Sequence, residues 1–355
     1  MIWLFIACLL ALVLILEQRW ADWAIAKLRY FSSCSHLLAE PGQTVTLTSG
    51  VENPWFLPVM YVRITTFLPP QAAPLDRSDS VLRPVNQWTT QLCLEDTTYL
   101  LPRRRQSVDL RFSLPHRGWY RFGSAVLTVG DFLGLKDTSR SIDSFCEVVV
   151  IPPRCENSNV LRTFGGFLGD ISVRRFILED PLLTVGFREY TGREPMKSIS
   201  WTQSARVGRT MVKQYDYTVD TTVTVLLNSQ DGTPEQMEEC YSVARTICEE
   251  LEERGIPYDF RTNGDLTGPM GPMSHVSQGL GQQHLRTILY GLGRATGKHT
   301  FSLEKLVDQS LRTARTNQSY LLITPPLPPR QHPLLQQLRT AGGEVCLLEC
   351  KGVAS

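Results

Sequence analysis

From residue 1 to residue 16 every side chain is apolar, and Glu17 is the first charge in the chain. Such a run is unfavourable in water as a free tail. It approaches the roughly 17 to 25 residues that span a bilayer, and Trp20 and Trp23 stand where interfacial anchors belong. The pattern predicts a transmembrane anchor over residues 1–25, in contact with membrane lipid through an N-terminal helix. A cleaved signal peptide is the alternative, but no Lys or Arg precedes the run and no clear small-x-small site follows it. Arg19, Lys27 and Arg29 follow the apolar run and no positive charge precedes it. The positive-inside rule then places the bulk of the chain in the cytoplasm, as a single-pass protein of the cell membrane.

Beyond the run, apolar positions alternate: Val45 and Leu47, Val62 and Ile64, then Val108, Leu110, Phe112 and Leu114. Period two means strands with one buried face. Pro54, Pro58, Pro69, Pro70, Pro74, Pro102 and Pro115 punctuate them and exclude long helices, so residues 38–153 are predicted to form an all-β sandwich of immunoglobulin-like type. The triplet Arg103, Arg104, Arg105 reads as a solvated hairpin tip.

A glycine-containing connector, residues 154–185 with Gly165, Gly166 and Gly169, leads to a different rhythm. Residues 222–227 are a β-branched strand. Thr233, Pro234 and Gln236 then supply an N-cap, an N1 proline and a capping-box partner for a helix with Met237, Cys240, Val243, Ala244, Ile247 and Leu251 on its apolar face, stopped by Gly255. Strands near 257–262, 320–324 and 345–348 alternate with helices carrying Leu285, Ile288, Leu289 and Leu292, then Leu303, Leu306, Val307 and Leu311, then Leu334 to Leu338. Strand–helix alternation predicts a parallel sheet in residues 186–355, with ligands meeting the loops at 228–233, 263–282 and 325–329.

Composition narrows the function. With 355 residues, 42% of them hydrophobic, the chain can bury two cores, because single cores stop growing at about 250 to 300 residues. The 36 basic and 35 acidic residues nearly cancel, which removes the broad positive field of a dedicated nucleic-acid binder. Nine scattered cysteines without a CxxC pair fit reduced thiols better than a disulfide framework.

Motifs for chemistry fail when tested. The loop from Gly291 to His299 lacks the phosphate-loop glycine at Leu292 and the hydroxyl at His299, and Gly279-x-Gly281-x-x-His284 lacks the third glycine of a dinucleotide fingerprint. Ser302-x-x-Lys305 opens a serine–lysine acylase signature whose other parts are missing, and Ser302 reads as a helix N-cap. The six histidines show no ligand spacing. No catalytic residue is assigned.

One stretch is more specific: Gly186-x-Arg188-Glu189-Tyr190-Thr-Gly192-Arg-Glu194-x-x-Lys197-x-Ile199-x-Trp201-x-x-Ser204-Ala205-Arg206, continuing to Val212-Lys213-x-Tyr215-Asp216. It resembles the signature of domain-of-unknown-function family fifty-eight, the MoxR-associated proteins with a von Willebrand factor A-like domain. Glu194 stands where the family usually has Asp and Lys197 where it has Arg. Arg117-Gly118-x-Tyr120-x-x-Gly123 and Asp131-Phe132-Leu-Gly134-Leu135 resemble a second family segment, with Phe132 in place of its proline. The resemblance implies a doubly wound α/β von Willebrand factor A-like domain over residues 186–355, carrying the signature at 186–216. It implies a non-enzymatic adaptor or scaffold working with a MoxR-type AAA+ ATPase in the assembly or maturation of protein clients.

Within the signature, Arg188, Glu189, Glu194, Lys197 and Arg206 are expected to gather around Tyr190 and Trp201, with Gly192, Ser204 and Lys213 alongside. This arrangement serves either as a brace for the connector or as a docking surface. Von Willebrand-type domains often hold a divalent ion through Asp-x-Ser-x-Ser after the first strand. The equivalent positions here are Asn228, Gln230 and Gly232, with no carboxylate or hydroxyl among them, so neither a metal nor any other cofactor is expected. The competing readings are an exported, cation-dependent adhesion module and a hydrolase with an unrecognised site.

Overall fold

Strand alternation governs the first of two compact units, residues Met1–Pro153 and Arg154–Ser355. The computed structural model describes residues 19–75, 81–84, 92–131, 136–177, 180–216, 222–268, 271–314, 318–340 and 344–352. The apolar run at residues 1–16 and the Phe132–Leu135 part of the second family segment lie outside them.

The first unit is a β-sandwich. Its strands are β1 (Arg29–Cys34), β2 (Leu38–Ala39), β3 (Thr44–Glu52), β4 (Val59–Phe67), β5 (Ala73–Pro74), β6 (Val81–Pro84), β7 (Leu92–Leu100), β8 (Arg105–Ser113), β9 (Gly118–Gly130) and β10 (Asp137–Val150). One sheet runs β1-β3-β8-β5 and the other β2-β10-β9-β4-β7-β6. The alternating residues fill the space between them: Val45, Leu47, Leu110 and Phe112 from one sheet meet Leu94, Phe122, Val148 and Val150 from the other. Phe112 and Phe122 pack with ring centroids 4.6 Å apart, within the range of favourable aromatic pairs. The arginine triplet lies at the β7–β8 turn, where Arg103 adopts φ 55° and Arg105 sets its guanidinium over the Phe31 ring.

A helix at residues 19–27, α1, precedes β1. No helix among the described residues is long and apolar enough to cross a membrane. This corrects the transmembrane anchor expected over residues 1–25 and the single-pass cell-membrane placement that rested on it. The physical reason is visible in α1. Ala21, Ala24, Ile25 and Leu28 recur at helical spacing and are buried, the last three in a cluster with Val51, Val59, Val62, Ile64, Leu127 and Val129 of the sandwich. Burial of Ile25 and Leu28 contributes about 1.5 to 3 kcal/mol each. Trp20, read as an interfacial anchor, packs against Trp55 with centroids 5.1 Å apart. On the outer side of α1, Asp22 accepts hydrogen bonds from Thr138 Oγ1 at 3.0 Å and Lys136 Nζ at 3.3 Å.

The second unit opens with α2 (Ser158–Ile177), followed by an antiparallel ribbon of β11 (Asp180–Glu189) and β12 (Met211–Asp216), with α3 (Trp201–Val207) between them. The segment read as a connector thus contains a 20-residue helix, with Val160, Phe164, Phe167, Leu168 and Ile171 buried along one side. Then come β13 (Thr222–Leu227), α4 (Pro234–Glu253), β14 (Tyr258–Thr262), β15 (Thr267–Gly268), β16 (Gly271–Pro272), β17 (His275–Gly279), α5 (Gln282–Arg294), α6 (Leu303–Arg312), β18 (Gln318–Thr324), α7 (His332–Thr340) and β19 (Val345–Glu349). The main sheet runs β17-β14-β13-β18-β19.

The expected doubly wound von Willebrand factor A-like domain is corrected to this five-stranded mixed sheet. After β14 the chain does not cross over through a helix to another parallel strand. It doubles back, and β17 pairs antiparallel with β14 from Tyr258↔Gly279 to Arg261↔His275. The stretch 263–282, read as a ligand loop, therefore supplies the sheet edge. His275, Ser277 and Gln278 give this strand no apolar period, so strand–helix counting passes over it. On one face of the sheet α6 and α7 pack Leu303, Leu306, Val307 and Leu338 against Leu226, Tyr320 and Leu322.

Candidate functional site

The signature residues occupy the ribbon and α3. Gly192, at φ 86°, turns the chain after β11 so that Glu194 folds back: its carboxylate accepts from Thr191 N at 3.1 Å and Thr191 Oγ1 at 2.8 Å, and pairs with the Arg188 guanidinium. Partial burial pushes the Glu194 carboxyl up, but the donors Thr191 Oγ1, Arg188 and the Thr191 backbone outweigh it and hold the group at about 2. Glu189 pairs instead with Arg209, at 2.6 Å, a partner absent from the sequence reading.

Ser204 locks α3 onto β12. Its Oγ donates to Ser200 O at 2.8 Å and accepts from Met211 N at 2.8 Å, while Ser200 N donates to Met211 O at 2.8 Å. Tyr190 N donates to Thr210 O at 2.9 Å, and Phe187 pairs with Lys213 across the ribbon. The expected gathering of charges around Tyr190 and Trp201 is only partly realised: Arg188 and Glu194 meet, whereas Lys197 and Arg206 stand exposed without an ion pair among the described residues. Trp201 is 66% exposed and Met196 71% exposed, with Val207 and Phe187 also open. Six basic and three acidic residues lie between positions 186 and 216. The result is a rigidly braced surface with an aromatic and a thioether facing outward in a basic setting.

Glu194 gives this bracing a definite acid limit. In the unfolded chain a glutamate titrates near its ordinary 4.5, whereas the folded carboxyl stays ionised to about 2. Its stabilising contribution is complete above pH 4.5 and is lost as pH falls from there toward 2. In an NMR titration the Thr191 amide signal should hold its position until well below pH 4 and then move. Glu194→Gln should abolish that step, and an unchanged step in the variant would remove Glu194 as its source.

The second sequence-predicted site lies at the carboxyl ends of β13, β14 and β18, where Asn228 is buried. Asn228 Nδ2 donates to Thr324 Oγ1 at 2.9 Å, and Asn228 Oδ1 accepts from Gln230 N at 3.1 Å and from Asn263 Nδ2 at 2.8 Å. Asn263 Oδ1 accepts from Ser229 N at 2.7 Å. Gln230 Oε1 accepts from Leu303 N at 2.8 Å, and Asp231 faces Arg330 at 3.5 Å. Gly232 sits so close to Pro325 and Met237 that a Cβ would lie 2.7 and 2.8 Å from them. These amides knit loop to sheet, and among the described residues no group of three His, Cys, Asp or Glu is arranged around a metal position. Asn263 and Thr324 were missed in the sequence. The available signal was the amide residue directly after β14, matching Asn228 directly after β13, but only strand order brings the two together.

Ser302 Oγ accepts from Lys305 N and caps α6, while Lys305 Nζ lies 5.5 Å from the Phe301 ring centroid.

No protein-family model and no curated protein matches the sequence. Among solved structures, a cohesin module of a family 33 glycoside hydrolase from Clostridium perfringens is 14% identical over 35% of this chain and 96% of its own, with a TM-score of 0.25. A type II cohesin domain from the cellulosome of Acetivibrio cellulolyticus is 13% identical over 35% of this chain and 95% of its own, with a TM-score of 0.25. The ASH / PapD-like domain of human CEP192 is 16% identical over 35% of this chain and 85% of its own, at 0.22. Likenesses of this size transfer neither fold nor activity to this chain.

Proposed function

We propose that the protein is a non-enzymatic interaction adaptor, and that the ribbon and α3 dock onto a MoxR-type AAA+ ATPase to bring it protein clients. The observation that carries the reading is the exposure of Trp201 and Met196 on a turn whose backbone is pinned by Ser200, Ser204 and Met211. Ordering cost has already been met in such a surface, and tryptophan and arginine are the residues that most often dominate interface energetics. Lys197 and Arg206, exposed beside Trp201, suit an acidic rim on the partner. The identity of the partner rests on the family resemblance of residues 186–216.

Affinity capture with the full chain tests this. It should recover an AAA+ ATPase of the MoxR type. Trp201→Ala should weaken that binding about 30-fold, the equivalent of losing a hot spot of about 2 kcal/mol, with no change in thermal stability because the indole is largely in solvent. Arg206→Glu should weaken it further at low salt. Capture that never yields such an ATPase, or that is indifferent to Trp201→Ala, counts against the reading.

A further inference from the structure

Two cysteines 112 positions apart meet at one corner of the first unit, with Cys34 Sγ 2.7 Å from Cys146 Sγ. Cys34 ends β1, in the four-stranded sheet, and Cys146 lies on β10, in the six-stranded sheet. A covalent bond between them would join the two layers of the sandwich.

Three local features bring the thiols together. The chain leaves β1 at Cys34 and crosses to β2, which pairs in parallel with the end of β10, Leu38 against Val149. The β9–β10 register shifts between Asp143 and Cys146, a bulge that re-aims the Cys146 side chain. Opposite it, Gly123 takes φ 102°, and a Cβ there would press on Ser144 O and, at 2.5 Å, on Ser32 Oγ, so only glycine lets β1 lie this close. Both thiols are half-buried and reachable by a small molecule, whereas Cys93, Cys155, Cys240, Cys248, Cys346 and Cys350 are buried.

We propose that Cys34 and Cys146 form a reversible disulfide that staples the two sheets, made by thiol–disulfide exchange with a low-molecular-weight disulfide of the glutathione type. Cys146 is the entering nucleophile: the close contact of the two sulfurs lowers the pKa of Cys146, while the same contact, together with burial, raises that of Cys34. The Cys146 thiolate attacks one sulfur of the external disulfide, forming a mixed disulfide and expelling one thiolate. Cys34 then gives up its proton and attacks the Cys146 sulfur, forming the Cys34–Cys146 bond and expelling the second thiolate. Each departing thiolate takes up one of the protons released by the two cysteines. Two protein thiols are oxidised and one external disulfide is reduced to two thiols.

The test is to treat the full chain with oxidised glutathione, alkylate the remaining thiols and map the peptides by mass spectrometry without reduction. The expected product is a Cys34–Cys146 cross-linked peptide that dithiothreitol dissolves, with a Tm at least about 5 °C above that of the reduced protein, because the bond closes a long loop in the unfolded chain. Cys34→Ser and Cys146→Ser should each lose both effects, and Cys93→Ser should keep them. If either variant fails to fold, the peptide map of the unsubstituted chain decides alone. Glutathione adducts on both cysteines without a cross-link, thiols that stay free, or a cross-link between other cysteines overturns the proposal.

Discussion

Asn263→Ala is expected to lower the stability of the second unit by about 3 to 5 kcal/mol, read as a shift in the urea midpoint at constant slope. Asn263 is fully buried, and its side chain serves two neighbours at once: Oδ1 accepts from Ser229 N and Nδ2 donates to Asn228 Oδ1. Alanine leaves that backbone N–H without its partner and the Asn228 oxygen one donor short, in a place water does not reach. Each stranded group costs about 1 to 3 kcal/mol, and the vacated volume adds a smaller penalty. The effect should spread to Asn228, whose own amide also holds Thr324 and Gln230. A double-mutant cycle with Asn228→Ala should therefore show strong coupling, with the pair costing much less than the sum of the singles. A loss below about 1 kcal/mol for Asn263→Ala would mean that the amide cluster contributes little to joining loop and sheet.

Gly50→Ala should destabilise the sandwich by about 3 kcal/mol or more, the upper end of what overpacking costs. Gly50 lies in β3 between Phe31 of β1 and Ser107 of β8. A Cβ would stand 2.5 Å from Phe31 Cζ and 2.8 Å from Ser107 Cα, and against Gln106 O. The ring can move, at the cost of its stacking with the Arg105 guanidinium 3.5 Å from the centroid, but the β8 backbone cannot move without breaking the ladder. Phe31→Leu in the Gly50→Ala background should recover part of the loss and no more, because the backbone contacts remain. Thermal melts of the four proteins in this cycle measure it. A Gly50→Ala melt within 2 °C of the unsubstituted chain would show that β1 and β8 part more easily than their register suggests.

Legibility differed between elements for identifiable reasons. Helix α4 was legible because its start is written locally: Thr233 Oγ1 accepts from Gln236 N while Gln236 Oε1 accepts from Thr233 N, with Pro234 at the first turn. Helix α2 was not, because Gly165, Gly166 and Gly169 each cost about 1 kcal/mol in a helix interior. The outcome was decided by Phe164, Phe167, Leu168 and Ile171, whose burial outweighs that cost. Strand β17 is polar and takes its place at the sheet edge from pairing with β14, a non-local choice. In the signature, the pairing of Arg188 with Glu194 joins residues only six positions apart across one turn, but the exposure of Trp201 and the pairing of Glu189 with Arg209 depend on how α3 lies on β12.

By itself the sequence determined the local elements: the period-two strands of the sandwich, the capped helices α4 and α6, and the polar residues placed directly after apolar strands. These follow from dihedral preference, capping and side-chain period, which act over a few residues. Tertiary structure decided where apolar surface goes once several destinations compete. It set Ala24 and Ile25 on the sandwich where the linear pattern pointed to a bilayer, and it turned the chain back at β17 where a crossover was predicted. It also brought Asn228 to Asn263 and Cys34 to Cys146. Hydrophobic burial has no direction, and pairing partners far apart in sequence leave no local trace, so only the assembled packing selects among them.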